Sequence, residues 1–195
     1  AERDTKDAID LDPVDDSLMQ SLIWTRCTLQ CIREFVKRLD DIPAFARSKP
    51  DPDNPGGPQL LLTLAEQRDN LKENHPLVVL AVRSTPALLS SLKNLVLTCT
   101  TNTGNTDPQT REGDADVERQ TLLREQGALH TCLSLLQTLF HLKQCNPALV
   151  AEGKLGLPFV KVVQLTFRLL KQMCKDNMAN KAALIDAIPF IQQQL

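Results

Sequence analysis

The sequence predicts an all-α domain in which helix pairs stack as a solenoid, and three observations predict it. Leucine dominates an aromatic-poor chain with six Phe, one Trp and no Tyr, and such side chains lose little rotamer freedom in a helix. Apolar residues recur at steps of three and four through most of the chain. No segment combines sustained alternation with β-branched enrichment, as a half-buried strand would. The solenoid follows from broad apolar stripes on consecutive short helices, each needing a neighbour on more than one side. A strict repeat period cannot be read.

The chain of 195 residues, 42% hydrophobic and 24% charged, is long enough to bury a core. We expect an N-terminal arm at 1–15 and a single helical domain at 16–195. A formal net charge of −2 gives no global reason to expect nucleic acid. The six cysteines are scattered through apolar helical runs, which favours reduced thiols in a cytosolic domain over a disulfide framework. Neither a signal peptide nor an apolar run of about 18 residues is evident. The chain begins at Ala1 and ends in Gln192-Gln-Gln-Leu195, which reads as a fragment of something longer.

The first helix is capped by Asp15 or Asp16 and runs to about Leu39. Its stripe is Leu18, Leu22, Leu29, Ile32, Val36 and Leu39. Residues 43–58 hold five prolines, two glycines and three Asp/Asn, and form a loop because proline removes donors and fixes φ. A second helix covers Leu60 to Asn74. Pro76 to Val82 is a short apolar segment, either strand or helical turn. Ser84-Thr85-Pro86 reads as a cap followed by proline at the first helical position. It opens a helix with Leu88, Leu92, Leu95 and Cys99 on one side. Thr100 to Asp116 is a polar, exposed loop. Asp116 caps a short helix from Val117 to Gln126, and Gly127 is the left-handed residue after its end. The next helix carries Leu129, Leu133, Leu136 and Phe140, widened by Cys132, Leu135 and Leu139.

A connector runs from Gln144 to Leu157. Pro158 opens a helix with Val160, Val163, Phe167, Leu170 and Cys174 in register. Asp176-Asn177 ends it, a short helix spans Ala179 to Ala187, and Pro189 opens the last one. The short charged helix, the glycine break and the strongly apolar helix after it have the build of an armadillo-like repeat.

Chemistry-bearing clusters are few. His130 with Cys132, His141 with Cys145, and Cys27 with Cys31 lack partner pairs at metal-ligand spacing, so no metal site is expected. Cysteine in such helices reads as a small buried hydrophobe. The chain has no Gly-x-Ser-x-Gly elbow, phosphate-binding loop or dinucleotide fingerprint. Asp15-Asp16, Asp40-Asp41 and Asp114/Asp116 sit where capping or solvation explains them. We therefore expect a protein that is not an enzyme and holds no cofactor. The basic residues are more informative. Arg119 and Arg124 share the short helix, while Lys161, Arg168, Lys171 and Lys175 form one stripe. Such stripes bind an anion or an acidic partner, or are simply solvated faces.

Two blocks carry a family resemblance. Glu118-Arg-Gln-Thr-Leu-Leu-Arg-Glu-Gln-Gly-Ala-Leu129, followed by a leucine-rich helix, resembles the armadillo-type domain shared by inositol trisphosphate receptors and ryanodine receptors. Leu165-Thr-Phe-Arg-Leu-Leu170 with Cys174-Lys-Asp-Asn-Met-Ala-Asn180-Lys-Ala-Ala-Leu-Ile185 resembles a later part of the same domain. Vaguer likenesses are Leu92-Lys-Asn-Leu-Val96 and, on the ryanodine side, Phe35-Val-Lys-Arg-Leu-Asp40. The likeness covers about residues 16 to 195 and is strong at 118–140 and 165–190.

The resemblance implies a non-catalytic regulatory domain of a homotetrameric calcium-release channel, on the cytoplasmic face of the endoplasmic or sarcoplasmic reticulum. Its partners would be other domains of the same channel or neighbouring subunits, with no nucleic acid and no membrane insertion by this segment. Arg119, Arg168, Lys171 and Lys175 would be interdomain contacts. In the inositol trisphosphate receptors one copy of this domain walls the ligand cleft. The matching positions here are Val117, Thr121 and Arg124, then Asn177, Met178 and Ala179. Arg124 alone keeps the charge, which makes it the candidate ligand-binding residue and the trisphosphate a poor ligand. Two rival readings are a free-standing armadillo-like adaptor for a peptide or protein and a divergent inositol phosphate half-site.

Overall fold

The computed structural model describes residues 16–43, 48–63, 66, 75–101, 104–141 and 156–194. The expected arm at 1–15, most of the helix at 60–74 and most of the connector at 144–157 lie outside them.

Helix α1 (Asp16–Asp40) has an aspartate in its first turn and Lys37 and Arg38 in its last, both favoured by the helix dipole. Leu29, Ile32, Phe35, Val36 and Leu39 are buried, as the three/four spacing requires, and the stripe continues upstream through Thr28 and Thr25. Residues 43–58 were expected to be loop and Leu60 to begin a helix. Instead β1 (Ser48–Lys49) pairs antiparallel with β2 (Leu60–Leu61). The proline/glycine run between them turns back on itself, with Gly57 N donating to Asn54 O at 2.9 Å. A reciprocal cap follows β2. Thr63 N donates to Glu66 Oε2 at 2.9 Å and Glu66 N to Thr63 Oγ1 at 3.3 Å.

Helix α2 (Pro76–Thr98) decides one open alternative and corrects one further expectation. The segment at Pro76–Val82 takes the helical of its two alternatives, as the first turns of a longer helix, and Ser84-Thr85-Pro86 does not start a helix. The start is ten residues earlier, where Leu77 N donates to His75 Nδ1 at 3.2 Å and Pro76 stands in the first turn. Pro86 sits inside the helix, where a proline ordinarily costs about 3 kcal/mol. Val82, whose carbonyl loses the bond, lies with Pro86 on the solvent face. Leu77, Leu80, Ala81, Leu88, Leu92, Leu95 and Val96 are buried on the other side and hold the helix together through it.

β3 (Thr100–Thr101) and β4 (Asp114–Ala115) form a second two-residue ladder, closing the loop between them. Helix α3 (Val117–Glu125) begins where expected, with Arg119 N donating to Asp116 Oδ1 at 3.1 Å. Gly127 has φ +82°, ending α3 and leading into α4 (Ala128–Phe140).

Helix α5 (Gly156–Cys174) starts before Pro158 and turns its stripe by one position. Phe159, Val162, Leu165, Leu169, Leu170 and Met173 are buried, whereas Val160 is exposed and Val163, Phe167 and Cys174 are half-buried. Both registers are apolar at three/four spacing, so only the neighbours choose between them. Phe159 meets Phe35 of α1 at a ring-centroid distance of 6.4 Å, while Phe167 faces Phe140 of α4 at 6.3 Å.

Asp176, with φ +52°, breaks α5. Asn177 then caps α6 (Met178–Ala183), accepting from Asn180 N at 3.0 Å. The helix expected to reach Ala187 stops at Ala183, followed by a 3-10 turn (Ile185–Ala187) and α7 (Ile188–Gln193). Helix α1 packs on α2 and α4, and α5 packs on the same two. Helix α3 leans on α4, α5 and α6. The fold is an all-α, armadillo-like stack of helix pairs.

Candidate functional site

The polar loop at 104–113 is fastened at both of its faces. Toward β3, Arg111 Nε donates to Thr100 Oγ1 at 2.8 Å, Nη2 to Thr100 O at 2.7 Å and Nη1 to Asn105 O at 3.2 Å. A planar fork of donors suits this three-point grip. Toward α5, the basic stripe takes hold of the loop. Arg168 Nη2 donates to Arg111 O, Gln172 Nε2 to the same oxygen at 3.1 Å, and Lys175 Nζ to Gly113 O at 2.5 Å. Three cations converge on one carboxylate: Arg168, Lys171 and Lys175 lie 3.0, 3.3 and 3.8 Å from Glu112. The hydrogen bond from Arg168, then that from Lys171, holds the Glu112 carboxyl below the usual carboxylate range. The segment read as an exposed loop is therefore clasped along its second half.

Beneath the clasp runs a chain of buried amides. Gln120 of α3, fully buried, donates from Nε2 to Gln172 O at 2.8 Å and to Cys99 O at 3.3 Å. Asn180 of α6 donates from Nδ2 to Met173 O at 2.7 Å and to Gln120 O at 3.3 Å. Asn177 Nδ2 reaches Thr121 Oγ1 at 3.4 Å. These amides add side-chain donors to main-chain carbonyls, two of which, Cys99 O and Gln172 O, also accept from Asp116 N and Lys175 N. A continuous path of hydrogen bonds thus joins the asparagine turn to α3, α5, the loop at Arg111 and β3. Sequence reasoning missed Gln120, Gln172, Asn180, Arg111 and Glu112. The available signal was a glutamine or asparagine at an apolar register, as Gln172 is beside Leu169 and Met173.

The site residues named from sequence fall into two groups. Arg168, Lys171 and Lys175 meet on Glu112 of their own chain. Arg119 and Arg124 point away from that cluster. Arg119 pairs with Asp116 at 3.4 Å, and Arg124 with Glu125 at 3.7 Å. The two places matched to the ligand wall do come together, through Asn177 and Thr121. Met178 and Val117 are exposed there, and no further cation accompanies Arg124 among the residues matched. Of the cysteines, Cys27 and Cys31 are exposed while Cys99 and Cys132 are buried. Burial pushes the Cys132 thiol up to about 12 and raises that of Cys99. Among the described residues no group of three or more His, Cys, Asp or Glu is placed to hold a metal.

Arg33 makes the second long-range tie. Its Nη2 donates to Gln126 O at 2.9 Å and its Nε to Thr131 Oγ1 at 3.1 Å, joining α1 to the glycine break. A groove of about 430 Å³ opens beside it, lined in part by Lys37, Asp40, Asp41 and His130. Another of about 360 Å³ lies beside the clasp, lined by Gln109, Gln164, Phe167, Arg168 and Lys171.

The helical stack, the capped short helix with its glycine break and the asparagine turn define an all-α domain of stacked helix pairs. A family model described as the RIH domain matches residues 88–195, more than half of the chain, and covers every element of the clasp and the amide path. The chain belongs to the RIH domain family, the homology shared by ryanodine and inositol trisphosphate receptors. No curated protein compared with the chain matches it. Among the described residues no helix is long and apolar enough to cross a membrane.

Proposed function

We propose that this chain is a non-catalytic regulatory domain of an intracellular calcium-release channel, acting by passing rotations between the domains it touches. Family membership supports the channel context. The observation that carries the mechanical part is the hydrogen-bond path from Asn177 through Gln120 and Gln172 to Arg111. The amide nitrogens of Gln120, Gln172 and Asn180 each bond a neighbouring element, so α3, α5, α6 and the loop move as one body. A displacement at the asparagine turn then reaches the loop 100–116 without being absorbed between them. Residence at the cytoplasmic face of the endoplasmic or sarcoplasmic reticulum, within a homotetramer, follows from the same reading. Partners would be neighbouring domains or subunits, with no cofactor.

Electrophysiology of the longer polypeptide carrying this domain tests the reading. Reconstituted in a planar bilayer, it is expected to conduct calcium. Gln120→Leu is expected to alter its open probability while leaving unit conductance unchanged. A polypeptide with no calcium conductance overturns the proposal. Inositol trisphosphate is expected to give no saturable heat in calorimetry with this domain, since Arg124 is paired with Glu125 and Asn177, Met178 and Ala179 are neutral. Saturable heat would restore the half-site reading.

A further inference from the structure

We propose that the groove beside the clasp docks an acidic protein segment, and that Glu112 occupies its cations until that segment arrives. The inference deepens the regulatory reading above by naming the chemistry of one partner.

Charge is the first argument. Lys161, Arg168, Lys171 and Lys175 lie along one stripe of α5, about 21 Å from first to last at 1.5 Å per residue. The loop brings the carboxylate of Glu112 to Arg168, Lys171 and Lys175. Asp107 also feels Arg168, but its oxygens are engaged within its own turn. Gln109 N donates to Oδ1 at 3.1 Å and Thr110 Oγ1 to Oδ2 at 2.9 Å. Helix α5 itself carries no Asp or Glu, so positive charge is in excess along its stripe.

Shape is the second argument. The groove has an apolar floor from half-buried Phe167 and amide walls from Gln109 and Gln164. Lys171 is 64% exposed at its side chain even while it touches Glu112, so an incoming carboxylate reaches it directly. Arg168 Nε is buried and has no hydrogen-bond partner, although Nη2 is doubly engaged. A narrow strip with an aromatic floor suits a single extended segment of alternating acidic and apolar residues. It suits a membrane or nucleic acid less, since those need a broad basic face and this chain is acidic overall.

Glu112 makes the proposal testable, because an internal carboxylate on the same cations must compete with an external one. Its pair with Lys171 is exposed on both sides and individually weak, so an incoming carboxylate displaces Glu112 there first. The experiment is fluorescence anisotropy of a fluorescein-labelled peptide of alternating Glu and Leu, titrated with the 195-residue chain at low salt. The matching Gln/Leu peptide and phosphatidylserine vesicles are run beside it. The acidic peptide is expected to bind and the neutral one not. Lys171→Gln and Lys161→Gln should each weaken binding roughly two- to fivefold, and Glu112→Gln should tighten it by a similar factor. Lys161 is exposed and outside the clasp, so its variant decides if the Lys171 variant misfolds by circular dichroism. Equal binding of both peptides, an unchanged or weaker affinity with Glu112→Gln, or preferential binding to the vesicles overturns the proposal. None of those outcomes touches the channel reading, which stands or falls on calcium conductance.

Discussion

Gln120 Nε2 donates to the main-chain oxygen of Gln172 at 2.8 Å, deep between α3 and α5. The short charged helix is thereby bonded to the long basic one at a point no water reaches. Replacing Gln120 by leucine removes this donor from two carbonyls, leaving Cys99 O with Asp116 N at 3.0 Å and Gln172 O with Lys175 N at 3.3 Å. The net value of one such hydrogen bond is about 0.5–1.5 kcal/mol. Gln120→Leu is expected to lower unfolding stability by about 1–2 kcal/mol, read as a lower urea midpoint at constant m-value. A change below about 0.5 kcal/mol would mean that the amide path bears no strain between the helices.

Gly127 stands at φ +82°, and a β-carbon built on it would lie 3.3 Å from Arg33 Nη2. Gly127→Ala is expected to cost about 1–2 kcal/mol from the left-handed backbone alone. It should also loosen the Arg33 tie to Gln126. Asparagine tolerates the left-handed region better, so Gly127→Asn should lose less. Thermal unfolding of the two variants side by side checks the order.

Releasing the clasp should free the loop without unfolding the stack. Arg168→Gln removes the closest cation from Glu112 and a donor from the Arg111 carbonyl. Hydrogen exchange is expected to rise across 104–113, while the Asp116 amide, bonded to Cys99 O at 3.0 Å, stays protected. Uniformly faster exchange through α2 and α5 would show instead that the clasp stabilises the whole domain.

Acidification should weaken the start of α2. Burial lowers the pKa of His75 below its ordinary 6.5, and its Nδ1 accepts from Leu77 N only when unprotonated. The unfolded chain binds the proton more readily than the folded one. This contribution is therefore complete above pH 6.5 and is lost as pH falls from there through the lowered folded value. His75→Asn supplies a cap that does not titrate. The difference in melting temperature between wild type and His75→Asn is expected to shift in the variant's favour from pH 7.5 to pH 5.5. An unchanged difference would contradict the assignment.

Local rules fixed what was readable early. Asp116 before Val117 and Gly127 before Ala128 follow from capping and from the freedom of glycine at positive φ, and both stand where the residues placed them. The stripe of α1 from Leu29 to Leu39 is legible because polar residues flank it on every turn. Helix α5 was misread by one position because its apolar girth is wide, and local spacing cannot say which side meets Phe35 and Phe140. Pro86 was misread because a proline looks like a helix start wherever a serine or threonine precedes it. The real start depended on His75, which carries no strong capping signal of its own. The loop misled for another reason: composition reported its solvated residues and said nothing about the cations packed beside it.

Taken by itself, the sequence determined the all-α class, the turn residues Asp116 and Gly127 and the membership in a receptor-channel domain family. Each of these depends on neighbours within a few residues, where chain geometry leaves little choice. The tertiary structure alone decided that Arg168, Lys171 and Lys175 meet on Glu112, and that Gln120, Gln172 and Asn180 form one buried path. Those partners are about 50 to 60 residues apart, and a charge or an amide carries no local mark of the group it will face. Only the packing of α3 and α6 against α5 closes the distance.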